Sequence, residues 1–183
     1  MRPDATMALV RAFHEIVASE VSAHGGRVHK YLGDGLMAVF GDDAARPHDA
    51  GDATACALGM VERLEAWNAG RRRAGCQPLE VGIGVHFGAV AFGCTGTDDA
   101  SERAVIGATV NVASRLERVT RRLHTRLAIS DDTVRALSTS RAVALLGRLQ
   151  KARGVRLNGC GLRQVWTERT PSMADTLVLP AAA

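Results

Sequence analysis

Four residues of this 183-residue chain combine types and spacings that could do chemistry. Asp34 lies between two glycines, Gly33 and Gly35, with Lys30 four positions before it. Asn111 and Arg115 stand four apart in a segment of helical pattern. A carboxylate raised on a stiff tip is a natural ligand for a hard cation such as Mg²⁺. The alternative is an ordinary turn aspartate that bonds its own backbone. An amide and a guanidinium at i, i+4 share one face of a helix. Such a pair suits a phosphate ester: the amide can orient a ribose oxygen, and the guanidinium can stabilise charge developing on phosphoryl oxygens. The alternative here is a solvated helix face.

The elements that must position these residues follow from the pattern of apolar positions. Two apolar-rich runs, Val28–Leu32 and Leu36–Phe40, flank Gly33-Asp34-Gly35, and Asp-Gly between such runs predicts a hairpin with a primed turn. Before it, Ala5 to about Ala23 predicts a helix, with Phe13, Ile16 or Val17, and Glu20 or Val21 on one stripe and Gly25-Gly26 as its stop. After it come a polar loop, Asp42–Arg46, and a second helix that starts near Pro47 and ends by Gly70. Its expected buried side is Ala53, Ala57, Val61, Leu64 and Trp67 or Asn68. Arg71–Pro78 reads as a basic connection.

Leu79–Phe87 and Ala89–Phe92 read as strands bent at Gly88, where Gly82, Gly84 and Gly88 suggest close approach of backbone or ligand. Cys94–Glu102 reads as a polar loop and Arg103–Ile106 as a short strand. The helix carrying Asn111 and Arg115 runs from Thr109 to about Leu123, with Val112, Leu116, Val119 and Leu123 as its core stripe. A strand at Arg126–Ile129 leads to Ser130 as the cap of a further helix through Leu137. Arg141–Glu168 reads as strands separated by glycines. The expected division is one domain over residues 1–169 and a tail or linker over residues 170–183. Helices alternating with hairpins, without a strict βαβ rhythm, give an α+β or mixed sandwich. No GxGxxG or GxxxxGK[ST] opens a helix, which removes the Rossmann and P-loop readings.

Three blocks, HGGRVHKYLGDGLMAVFG, LEVGIGVHFGAVAFGCTG and AVIGATVNVASRLE, together resemble the catalytic domain of class III adenylyl/guanylyl cyclases, in that family's order and over nearly the whole chain. The resemblance implies a ferredoxin-like βαββαβ sandwich core and a homodimer, or a heterodimer with another cyclase domain, with active sites at the interface. It implies conversion of ATP to cyclic AMP and pyrophosphate with two Mg²⁺ or Mn²⁺ ions. Asp34 matches one of the family's two metal aspartates and Lys30 the lysine that reads adenine. Asn111 matches the asparagine that positions the ribose, and Arg115 the arginine that stabilises the transition state. Asp34 and Lys30 would serve opposite sites of the dimer.

Three departures accompany the match. The family's first strand, with its FxDIxGFT-like motif and the other metal aspartate, has no counterpart here, which leaves the fold apparently short of a strand at its N-terminus. Ala104 occupies the position of a base-reading Asp or Thr, and Asn158 that of a lysine on the triphosphate. A lost charge-assisted hydrogen bond is worth about 1.5–3 kcal/mol. The alternative function is therefore a catalytically inactive cyclase-homology module that dimerises or binds nucleotide for regulation.

Composition bounds the rest. Hydrophobic residues make up 46% and charged residues 23%, ordinary for a globular domain, and the net charge is +4. Seven aromatic residues, not interleaved with basic ones, argue against nucleic-acid binding. Cys56, Cys76, Cys94 and Cys160 form no CxxC, so free and mostly buried thiols in a cytoplasmic protein are expected. No apolar run is long enough to span a membrane. The six histidines share no metal spacing, and Trp67 and Trp166 read as packing residues.

Overall fold

Helix α3 (Ala108–Leu123) lies directly on strand β3 (Ile83–Val85), and two glycines make that approach possible. A Cβ on Gly84 would overlap the Ala113 carbonyl oxygen and the Glu117 amide nitrogen. A Cβ on Gly82 would overlap the Thr120 hydroxyl and stand 3.1 Å from the Glu117 carbonyl oxygen. The close approach expected of these glycines is thus to the backbone of α3. The computed structural model describes residues 3–41, 48–97, 100–152 and 154–169. The expected loop Asp42–Arg46, the start at Pro47 and the tail 170–183 lie wholly or largely outside them.

The chain begins with α1 (Pro3–Ala23), the hairpin β1 (Arg27–Leu32) and β2 (Gly35–Val39), and α2 (Asp49–Arg73). β3 is followed by a second hairpin, β4 (Ala91–Thr97) and β5 (Ala100–Ile106), and then by α3. β6 (Leu127–Ser130), α4 (Asp131–Arg135), α5 (Thr139–Gly147), β7 (Leu149–Lys151), β8 (Val155–Leu157), β9 (Gly161–Arg163) and β10 (Val165–Glu168) complete it. The largest sheet has the order β3-β6-β10-β7, with β3 parallel to β6 and the other pairs antiparallel. The pairs β1-β2, β4-β5 and β8-β9 are separate two-stranded ribbons.

Strand alternation explains the layering. Leu127 and Ile129 point to one face of the large sheet, onto Ala57 and Leu58 of α2 and Leu145 and Leu149. Ala128 and Val165 point to the other, onto Val112, Leu116 and Val119 of α3. The expected stripe of α3 is buried as read, with Leu123 at its half-buried end. A third cluster joins Phe13, Val17 and Val21 of α1 to Cys56, Met60 and Leu64 of α2, and half-buried Leu36, Ala38, Leu79, Val81 and Ile83 pack on it. So β2 and β3 rest on one helical floor, yet no pairing joins them among the described residues.

The α+β architecture agrees with expectation, and several details differ. α2 continues through Gly70 to Arg73, because its last-turn arginines Arg71, Arg72 and Arg73 complement the negative end of the helix dipole. The segment read as a loop at Cys94–Glu102 is the tip of the β4-β5 ribbon, where Cys94 and Thr95 are exposed and so carry no burial pattern to read. Residues 139–147 form α5 where strands were expected, since a short apolar run does not by itself distinguish helix from strand. Ser130 caps α4 as expected, its hydroxyl accepting from the Thr133 amide. All four cysteines are free, but only Cys56 is buried, because Cys76 follows the end of α2 and Cys94 lies on the exposed ribbon.

Candidate active site

Asp34 occupies the turn of the first hairpin, but the turn is placed one residue earlier than Asp-Gly predicts. Leu32 pairs with Gly35, so Gly33 and Asp34 are the two loop residues. Gly33 has φ +68° and Asp34 does not share it, the pattern of a turn with glycine at its first central position. Asp34 is exposed at the tip, and Lys30, paired with Met37 across the ribbon, is exposed on β1.

The β5 strand sets Ala104 against Gly93. Ala104 is half-buried and lines a cleft of about 340 Å³ between the two hairpins, together with Arg27, Val28, His29, Phe92 and Arg103. Its methyl group offers no hydrogen bond. Two arginines give this cleft a positive character that spacing in the sequence did not reveal.

Asn111 and Arg115 project from α3 one turn apart, beside its buried stripe; Asn111 is exposed and Arg115 half-buried. The Arg115 guanidinium lies against Gly159 and Cys160. These two residues belong to the turn 158–160 between β8 and β9, which also carries Asn158. The fold therefore brings Arg115 and the Asn158 turn together, 45 residues apart in the chain. The nearness of this turn to Arg115 is a long-range relation that no local signal in the sequence marks. Gly107 caps the start of α3 without a side-chain bond, which leaves the positive end of the helix dipole one turn before Asn111.

Other groups are accounted for by packing. His86 Nδ1 lies 2.8 Å from the Ser130 hydroxyl, and burial holds its pKa below the usual value. Burial, followed by the charge of Glu20, pushes the Cys56 thiol up to about 12, which removes it as a nucleophile. Trp67 and Trp166 are half-buried against the core clusters, as expected.

The match to known proteins covers the same elements. The family described as the adenylate and guanylate cyclase catalytic domain matches residues 1–159. This chain belongs to that family. It is 30% identical over 149 residues to an adenylate cyclase of Anabaena cylindrica, a match covering 79% of this chain and 29% of that protein. It is 33% identical over 115 residues to adenylate cyclase 1 of Rhizobium meliloti, covering 63% of this chain and 17% of that protein. The cyclase domain thus spans less than a third of those relatives. Its fold is similar to the crystal structure of the guanylyl cyclase Cya2, with TM-score 0.77 and 28% identity over 92% of this chain and 82% of that one. Relatives named for both bases occur, so family membership alone does not choose between ATP and GTP. Members generally use divalent metal ions. No helix of the described residues is long and apolar enough to cross a membrane.

Proposed function

We propose that this cyclase domain serves an adenylyl cyclase site formed between two copies, turning ATP into cyclic AMP and pyrophosphate. The 3′-hydroxyl oxygen of the ribose attacks the α-phosphorus and gives up its proton to water, the bond to the bridging oxygen of the β-phosphate breaks, and pyrophosphate leaves with that oxygen. Asn111 orients the ribose. Arg115 meets the charge that builds on the α-phosphoryl oxygens. Lys30 donates to N1 of adenine and disfavours guanine, whose N1–H also donates. Ala104 cannot contact the exocyclic amine, so base choice rests on Lys30. Asn158 donates to the triphosphate without adding charge.

The observation that carries this reading is the meeting of Arg115, one turn from Asn111, with the turn that holds Asn158. Support for pairing of two copies comes from exposed Tyr31, Leu32, Phe87, Phe92 and Ile106 on and near the two hairpins.

The described residues of one chain do not fit a two-metal centre. Asp34 stands on an exposed tip, and among the described residues no group of three or more His, Cys, Asp and Glu side chains converges. One carboxylate competes poorly with a triphosphate for a hard cation. The same observation favours a second reading, a domain that binds nucleotide and pairs with a cyclase without turnover of its own.

Incubating the purified chain with ATP and Mn²⁺ and measuring cyclic AMP tests the choice. Product formation that falls by about 10²–10³ in Arg115→Ala, with melting temperature unchanged, supports the enzyme. ATP binding by calorimetry with no product supports the second reading and sinks the first.

A further inference from the structure

We propose that His29 is a specificity residue, accepting a hydrogen bond from the 6-amine of adenine in the cleft between the two hairpins. This contact presupposes the adenylyl cyclase reading and supplies what Ala104 lacks.

The backbone singles out His29 first. Along β1, Val28 pairs with Ala38 and Lys30 with Met37, so β1 advances two residues while β2 advances one. His29 is therefore the extra residue of a β-bulge, a feature that bends a strand and re-aims its side chains. Val28 packs with Leu36 and Ala38 on the floor formed by α1 and α2. In a regular strand Lys30 would share that face. The bulge pairs it with Met37 instead and turns it to the opposite face, next in the chain to His29.

The surroundings of His29 then define what it can do. It is half-buried and lines the same cleft of about 340 Å³ as Ala104. Gly93 and Ala104 face each other across the second ribbon and fill little of that space. Val39 and Phe92 add apolar surface suited to a flat ring. Arg27 and Arg103 can only donate, and the Cys94 thiol is a weak acceptor. Among the described lining side chains, the neutral imidazole of His29 is thus the one strong acceptor. Its ring makes no hydrogen bond or ion pair among the described residues, so nothing else occupies that nitrogen.

The two neighbours divide the work. Adenine presents an acceptor at N1, for Lys30, and a donor at the 6-amine, for His29. Guanine reverses both polarities. The imidazole can follow by changing tautomer, but the ammonium cannot. His29 therefore adds affinity at position 6, and Lys30 rejects guanine.

The test measures binding of 3′-deoxy-ATP, which lacks the attacking hydroxyl, and of its analogue without the 6-amine. Calorimetry is run with Mn²⁺ in mildly alkaline buffer, which favours neutral imidazole. Wild type should prefer 3′-deoxy-ATP about three- to tenfold. The preference disappears in His29→Leu and persists in His29→Asn, whose amide oxygen accepts. If His29→Leu does not fold, His29→Ala replaces it. In the cyclase assay, His29→Leu raises KM for ATP by the same factor and leaves kcat nearly unchanged. A wild type that binds both compounds equally overturns the proposal, as does an undiminished preference in His29→Leu. A wild-type chain that binds 3′-deoxy-ATP but forms no cyclic AMP from ATP overturns the enzyme reading instead, and the binding comparison still decides the contact.

Discussion

His86 illustrates how a single side chain sets a condition on the whole. Its ring is largely buried, bonded to the Ser130 hydroxyl, with Asp132 Oδ2 at 4.0 Å. Burial lowers its pKa; Asp132 opposes this and Arg163 adds to it. With the folded value below the unfolded one of about 6.5, the unfolded chain takes up the proton first as pH falls. This contribution to stability is complete above that value and declines as pH drops below it towards the folded pKa. Urea denaturation at about pH 7.5 and about pH 5.5 should show a loss that is smaller in His86→Gln. An identical pH dependence in the variant would refute the assignment. The six histidines read as surface or packing residues from sequence, and no spacing could have singled out His86, because its partner Ser130 lies 44 positions away. Asn111 and Arg115 were legible for the opposite reason: their relation is local to one helix.

At the scale of elements, the junction of α3 with β3 is the one on which the site depends. Gly84→Val would drive a branched side chain into the backbone of α3 at Ala113 and Glu117, which has no rotamer with which to yield. Overpacking of this kind commonly removes about 1–3 kcal/mol and here should reach or exceed the top of that range; thermal melting and the yield of folded protein measure it. A gentler probe is Glu168, whose carboxylate receives the amides of Arg126 at 2.8 Å and Leu127 at 2.9 Å as well as the Thr125 hydroxyl. Glu168→Gln leaves one acceptor oxygen for three donors and should lower stability by about 1–3 kcal/mol in urea. Helices α1 and α3 were readable because each buries a stripe at three- and four-residue steps. Of the β4-β5 ribbon only the base, Ala91–Phe92 and Arg103–Ile106, was read as strand; towards the tip Cys94 and Thr95 are exposed, so alternation had nothing to record. The shortened turn at Gly33-Asp34 was also hidden, since Gly33-Asp34 and Asp34-Gly35 are equally good turn pairs by composition and only the strand register separates them.

For the molecule as a whole, the division between the β1-β2 ribbon and the four-stranded sheet matters most. Both lie on α1 and α2, but among the described residues no backbone ladder connects them. Leu127, Ala128 and Ile129 of β6 are fully buried, and Ala128 and Ile129 are paired on both sides, whereas β1 is exposed or half-buried along its length and, among the described residues, paired only with β2. The two parts therefore need not open together. Amide hydrogen exchange should find Val28–Leu32 released by a partial opening of lower free energy, and Ala128 and Ile129 released only by global unfolding. Equal protection in the two places would show a single cooperative unit. If the parts do separate, the tip bearing Asp34 and the ribbon bearing Lys30 can be loosened while the helix bearing Arg115 stays intact. A displacement of α1 would then act as a clutch, engaging or releasing the β1-β2 ribbon without unfolding α3.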